Sequence, residues 1–120
     1  MTSPAAPRSA TVRAPAKVNL ALRVGPPDLE TGYHPLATVF HAVDLTDTVT
    51  VRPSKRWECT VTGPYADRVP TGGSNLAMRV AQRLADECFE AGPVSMTIDK
   101  SIPVAGGMAG GSADAAAAII

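Results

Sequence analysis

The chain has 120 residues, 11 Lys+Arg against 11 Asp+Glu, and a formal net charge of zero. One domain fits that length, and 45% hydrophobic with 18% charged residues excludes wholesale disorder. The even balance argues against a nucleic-acid partner, two cysteines cannot build a disulfide framework or a four-ligand zinc site, and no apolar run approaches the roughly 20 residues of a membrane span.

Residues 1–10 are rich in Ala, Pro and Ser and lack the apolar stretch of a secretory signal. They read as a flexible leader of a cytoplasmic protein. From Thr11 to Val24 a strand is expected. Val18, Leu20, Leu22 and Val24 fall on one face, with Lys17, Asn19, Ala21 and Arg23 on the other. Gly25 to Tyr33 is a loop by its Pro-Pro and Thr-Gly pairs. Further strands are expected over Leu36–Leu45, Thr48–Arg52 and Trp57–Thr62, as antiparallel neighbours. His41 is read as a strand residue and Trp57 as packing.

Asn75 suits the N-cap of a helix from Leu76 to about Ala91, with Leu76, Val80, Leu84 and Cys88 as its apolar stripe. Gly92-Pro93 ends it, and Val94–Lys100 is a strand with Val94, Met96 and Ile98 on one face. A glycine-rich turn and the start of a second helix follow. The order of elements makes the fold class α+β. Only nine residues run from Ser112 to the terminal Ile120, with no glycine cap or basic last turn. The chain therefore reads as an N-terminal piece of a longer protein, truncated in that helix.

Four glycines fall between Gly106 and Gly111, after a strand and before a helix. Glycines let a backbone approach an anion closely, and a helix N-terminus adds partial positive charge. The segment is neither a Walker A loop, since Ser112 stands where Lys is needed, nor a G-x-G-x-x-G fingerprint. A flexible turn is the alternative to a phosphate cradle, and any Lys that meets the phosphates must come from elsewhere in the chain.

The motifs PAKVNL, GYH and PVAGGMAGGSADA occur together, in that order, between Val12 and Ile120. In this the chain resembles the GHMP kinase superfamily of small-molecule kinases, and within it the branch serving non-mevalonate isoprenoid synthesis. The resemblance implies an N-terminal domain like ribosomal protein S5 domain 2 over residues 11–120, with a C-terminal domain absent. It implies transfer of the γ-phosphoryl of ATP, with Mg²⁺, to the 2-hydroxyl of a cytidyl diphosphate substrate, 4-diphosphocytidyl-2-C-methyl-D-erythritol.

By motif, Lys17 is the catalytic Lys and Asn19 sits near the substrate hydroxyl. Tyr33 stacks on the cytosine and His34 reads its edge. The ATP loop is Pro103, Val104, Ala105, Gly106, Gly107, Met108, Ala109, Gly110, Gly111, Ser112 and Ala113. Ser112 either caps the helix or stands near Mg²⁺ and phosphate. Asp114 is read as a structural carboxylate in the first helical turn, favourable to the helix dipole. Ala105, Ala109 and Ala113 replace residues that are often Gly, Gly and Ser in the family, so a stiffer loop is expected, since Ala favours negative φ. The family's catalytic Asp lies in a later motif that these residues lack, so the chain alone is expected to be inactive. The alternatives are another GHMP small-molecule kinase, or a non-catalytic nucleotide- or RNA-binding module of the same fold. The oligomeric state is not legible.

Overall fold

The computed structural model describes residues 9–88 and 91–120. All but the last two residues of the expected leader lie outside that range, and Ala10 already belongs to the first strand. The elements run β1 (Ala10–Val24), β2 (Leu36–Pro53), β3 (Glu58–Thr62), a short 3-10 turn (Ala66–Arg68), α1 (Leu76–Glu87), β4 (Val94–Asp99) and α2 (Gly110–Ile119). They form one sheet in the order β1-β2-β4-β3, with helices packed on one face. The α+β expectation holds.

Alternation along the strands selects that face. Val12 and Ala14 of β1, Val49 and Val51 of β2, Met96 and Ile98 of β4, and Cys59 and Val61 of β3 share one face by the register and join one core. The intervening Thr48, Thr50, Arg52, Ser95, Thr97 and Thr60 make the other face polar, the pattern of a sheet covered on one side. Ala77 and Met78 of α1 and Ala117 of α2 complete the core.

Three expectations are corrected. The strands expected over Leu36–Leu45 and Thr48–Arg52 are one 18-residue strand. β3 is not an antiparallel neighbour of β2; it pairs in parallel with β4. The reason is topological: β3, α1 and β4 form a crossover, and a helical connection brings the second strand back parallel to the first. α1 ends at Glu87 rather than near Ala91, and its inward stripe is Ala77, Met78 and Ala81. Leu76 and Leu84 remain 43% and 38% exposed, and Cys88 is exposed. The small alanines let α1 lie close to the alanine-rich α2, which turns the leucines outward.

The outer half of β1 and the opening half of β2 leave the body as a two-stranded arm, visible in the 59 × 35 × 30 Å extents. The register shifts between Asn19 and Ala21, so Leu20 is an extra residue of β1. A bulge of this kind reverses which residues share a face. Lys17 pairs with Ala42, Asn19 with Phe40, Leu22 with Thr38 and Val24 with Leu36. Paired residues share a face, so Lys17 and Asn19 stand with Leu22 and Val24 rather than opposite them.

Candidate active site

The loop between β4 and α2 carries its chemistry in its backbone. Positive φ recurs at every second residue: 59° at Ala105, 71° at Gly107 and 57° at Ala109. Alternating signs of φ turn successive N–H groups towards one side, which makes a concave nest for an anion. A Cβ at Gly107 or Gly111 would meet nothing within 4 Å, so the backbone there is open to an approaching ligand. Alanine's general preference for negative φ is overridden at Ala105 and Ala109. Both occupy the left-handed region, at a cost of about 1 kcal/mol each.

Ala109 is also the N-cap of α2, and Ala113 N–H donates to its carbonyl at 2.9 Å. The helix thus begins two residues before Ser112, which is exposed and is not the cap. Asp114 is displaced with it. It lies beyond the first turn and is buried instead of standing at the dipole's end.

Lys17 crosses from β1 to the loop. Its backbone N–H donates to the Met108 carbonyl at 3.2 Å, and its Nζ donates to the Gly107 carbonyl at 2.7 Å. Nζ also donates to Asn19 Oδ1 at 2.7 Å and lies 5.4 Å from the centre of the Phe40 ring. Asn19 is fixed in turn: its amide donates to Thr38 Oγ1, which donates to the Ala21 carbonyl at the bulge, both at 2.8 Å. Lys17, Asn19 and the glycine loop, far apart in sequence, thus form one hydrogen-bonded unit.

Tyr33 and His34 are not brought to that unit. They sit in the loop at the tip of the arm, about 20 Å along β1 from Lys17. Tyr33 is 80% exposed. His34 Nδ1 bonds the Gly25 carbonyl at 2.7 Å, and Gly25 N–H donates to the Pro35 carbonyl, closing the loop's neck. Asp28 organises the tip. Its carboxylate accepts the N–H groups of Glu30 and Thr31, and these backbone donors hold its pKa below the usual value.

Beside the loop is a cavity of about 400 Å³. Pro103 to Ser112 form one wall; Arg68, Val69, Pro70, Asn75, Leu76 and Ala77 are among the residues opposite. Its apolar part and its glycine-lined part together suit a ligand with a flat apolar end and an anionic end. Asn75 shapes the far wall by capping α1 through Met78 N–H and by donating to the Pro70 carbonyl at 2.9 Å.

Beneath the loop lies a charged cluster that the motifs did not single out. Lys100 Nζ donates to Asp47 Oδ2 at 2.5 Å and to Asp114 Oδ2 at 3.1 Å, and all three residues are buried. Asp47 Oδ1 accepts the N–H groups of Ser101 and Ile102. Burial, and next the adjoining Asp47 carboxylate, push the Asp114 pKa up to about 7. Burial opposes ionisation of Asp47 too, but hydrogen bonds from Asp114, Lys100 and those N–H groups hold its pKa below the usual value. The proton therefore resides on Asp114 before Asp47. Among the described residues no three His, Cys, Asp or Glu side chains group as a metal site.

Residues 75–120 match the family description "GHMP kinases N terminal domain". A solved 4-(cytidine 5'-diphospho)-2C-methyl-D-erythritol kinase superposes with a TM-score of 0.72 at 37% identity, over 92% of this chain and 38% of that one. The homoserine kinase of Cytophaga hutchinsonii superposes with a TM-score of 0.68 at 18% identity, over 99% and 36%, a likeness of fold. The fold is that of a GHMP kinase N-terminal domain. Among named relatives, the 4-diphosphocytidyl-2-C-methyl-D-erythritol kinase of Mycobacterium marinum is 57% identical over 112 residues. That match takes in 93% of this chain, which spans 35% of the relative's length.

Proposed function

We propose that these residues form the ATP-holding part of a kinase that phosphorylates the 2-hydroxyl of 4-diphosphocytidyl-2-C-methyl-D-erythritol in the cytoplasm. The observation that carries the reading is the union of Lys17 with an anion nest at Gly107. An ammonium placed there neutralises charge on a phosphoryl group in transit, which is the main demand of phosphoryl transfer. Asn19 holds the ammonium in place and stands where the acceptor hydroxyl would arrive. The apolar end of the cavity takes the adenine, and the loop from Pro103 to Ala113 takes the phosphates. Tyr33 and His34, at the tip of the arm, hold the cytosine by stacking and edge contact.

Mg²⁺ fits as a cation carried on ATP. Such ions take phosphate oxygens with few protein ligands, and the exposed Ser112 hydroxyl is the side chain of this loop that can join them. Residues 11–120 would be the N-terminal domain, with the remaining machinery in the length that the relatives have in addition. The 120 residues alone are then expected to transfer no phosphate.

The test joins residues 1–120 to the rest of the Mycobacterium marinum kinase in place of its own matching segment. The fusion should phosphorylate the cytidyl substrate with ATP, and Lys17→Ala should lower turnover by about 100-fold or more. Undiminished turnover in that variant removes Lys17 from the reaction.

A further inference from the structure

The cluster of Asp47, Lys100 and Asp114 is given no role in that reading, yet it lies under the loop on which the reading depends, and Lys100 and Asp114 reach the cavity wall. Two alanines in the left-handed region persist only where surrounding contacts over-determine them. At the loop's entrance Asp47 accepts two consecutive N–H groups, from Ser101 and Ile102, at 2.7 and 2.8 Å. At its exit the Lys100 ammonium grips Asp114 of α2 while Asp47 of β2 anchors the same ammonium. Gly110 rests against it so closely that a Cβ there would stand 2.7 Å from Nζ. A rigid link therefore runs from the sheet through one ammonium to the start of α2, directly after Ala109.

A buried ion triple is a poor way to stabilise a fold, since desolvation offsets the attraction. Nor does it suit an anionic ligand, because the ammonium already donates to the Asp47 carboxylate and to the Asp114 carboxyl group. Holding one geometry is what it does well. We propose that Lys100 is a positioning residue for the anion nest: anchored by Asp47 and gripping Asp114, it holds the Ala105–Ala109 turn in the left-handed conformation that directs the loop's N–H groups inward. This rests on the reading that the loop binds ATP.

The experiment compares Mg-ATP affinity, normalised to the folded fraction, in the native chain, in Lys100→Met, and in Lys100→Met with Ala105→Gly and Ala109→Gly. Lys100→Met should weaken binding at least tenfold. The two glycines adopt positive φ without strain and should recover most of that loss. A role confined to overall stability predicts no recovery, because glycines make the unfolded chain more favourable; absence of recovery overturns the proposal. Should Lys100→Met fail to fold, Asp114→Asn, compared with the native chain above pH 8 where Asp114 is ionised, keeps the shape, removes the gripped charge and allows the same comparison. If the native chain takes up no ATP, the ATP reading fails and the brace is judged without ligand. NMR couplings that report the sign of φ at Ala105 and Ala109 should then change in Asp114→Asn; unchanged couplings overturn it.

Discussion

Asp114 gives the molecule a stability that depends on pH near neutrality. Its folded pKa lies at about 7, raised by burial, whereas an unfolded Asp titrates near 3.9. Between those values the folded state holds a proton that the unfolded state has lost, so this group's contribution is full below pH ~4 and is lost as pH rises through ~7. Asp47 acts in the opposite sense. Its lowered pKa favours the fold above the unfolded value and is lost on further acidification. Denaturant titrations of the native chain and Asp114→Asn should therefore diverge, the native chain losing stability from pH 4 to 8 and the variant staying flatter. Parallel profiles would show that Asp114 ionises without penalty. The signal for this cluster was present in the sequence, though motif reading passed over it. Asp47 shares the strand face of Val49 and Val51, and Lys100 that of Met96 and Ile98. A charged residue at an inward position of an apolar alternation demands a buried partner of opposite sign. What no local pattern shows is which partner, because Asp47 and Lys100 are 53 residues apart.

At the scale of elements, α1 and the cavity wall are tied together by one residue. Asn75 caps α1 and tethers Pro70, and it is 4% exposed. Asn75→Ala should cost about 1 kcal/mol of stability from the cap. It should also weaken ATP binding, because Pro70 and Leu76 line the cavity. A stability loss with unchanged affinity would separate the cap from the wall. The cap was readable because its chemistry is local: an Asn, then an apolar-periodic run. The inward stripe of α1 was not, since packing of alanine against alanine chose a face that hydrophobicity alone ranks below the leucine face. The β1 bulge escaped for a similar reason. Period-two alternation carries no mark of where an extra residue is inserted, and one insertion exchanges the faces. The correction brings Lys17 and Asn19 onto the same face as Leu22, Val24 and Phe40 of the arm.

For the whole molecule, the α+β class, the glycine-rich turn before α2 and the Lys17–Asn19 pair were legible because each is written in contiguous residues. The sheet order was not, since parallel pairing of β3 with β4 depends on a crossover through α1. The strain in the loop was also hidden, because alanine at a left-handed position looks like any other alanine.

The arm and the strand that carries it have one more consequence, in how chains meet each other. β1 is an edge strand of 15 residues among the described elements, its outer row of N–H and C=O groups unpaired by the sheet. Leu20, Leu22, Val24 and Phe40 are each more than half exposed nearby. Such an edge is a template for a further strand, and a formal net charge of zero supplies no long-range repulsion to keep copies apart. Light scattering from the 120-residue chain should therefore rise with concentration most steeply near pH 7 and less on either side, where net charge grows. A chain that stays monomeric at neutral pH and high concentration would show the edge to be guarded by its own twist.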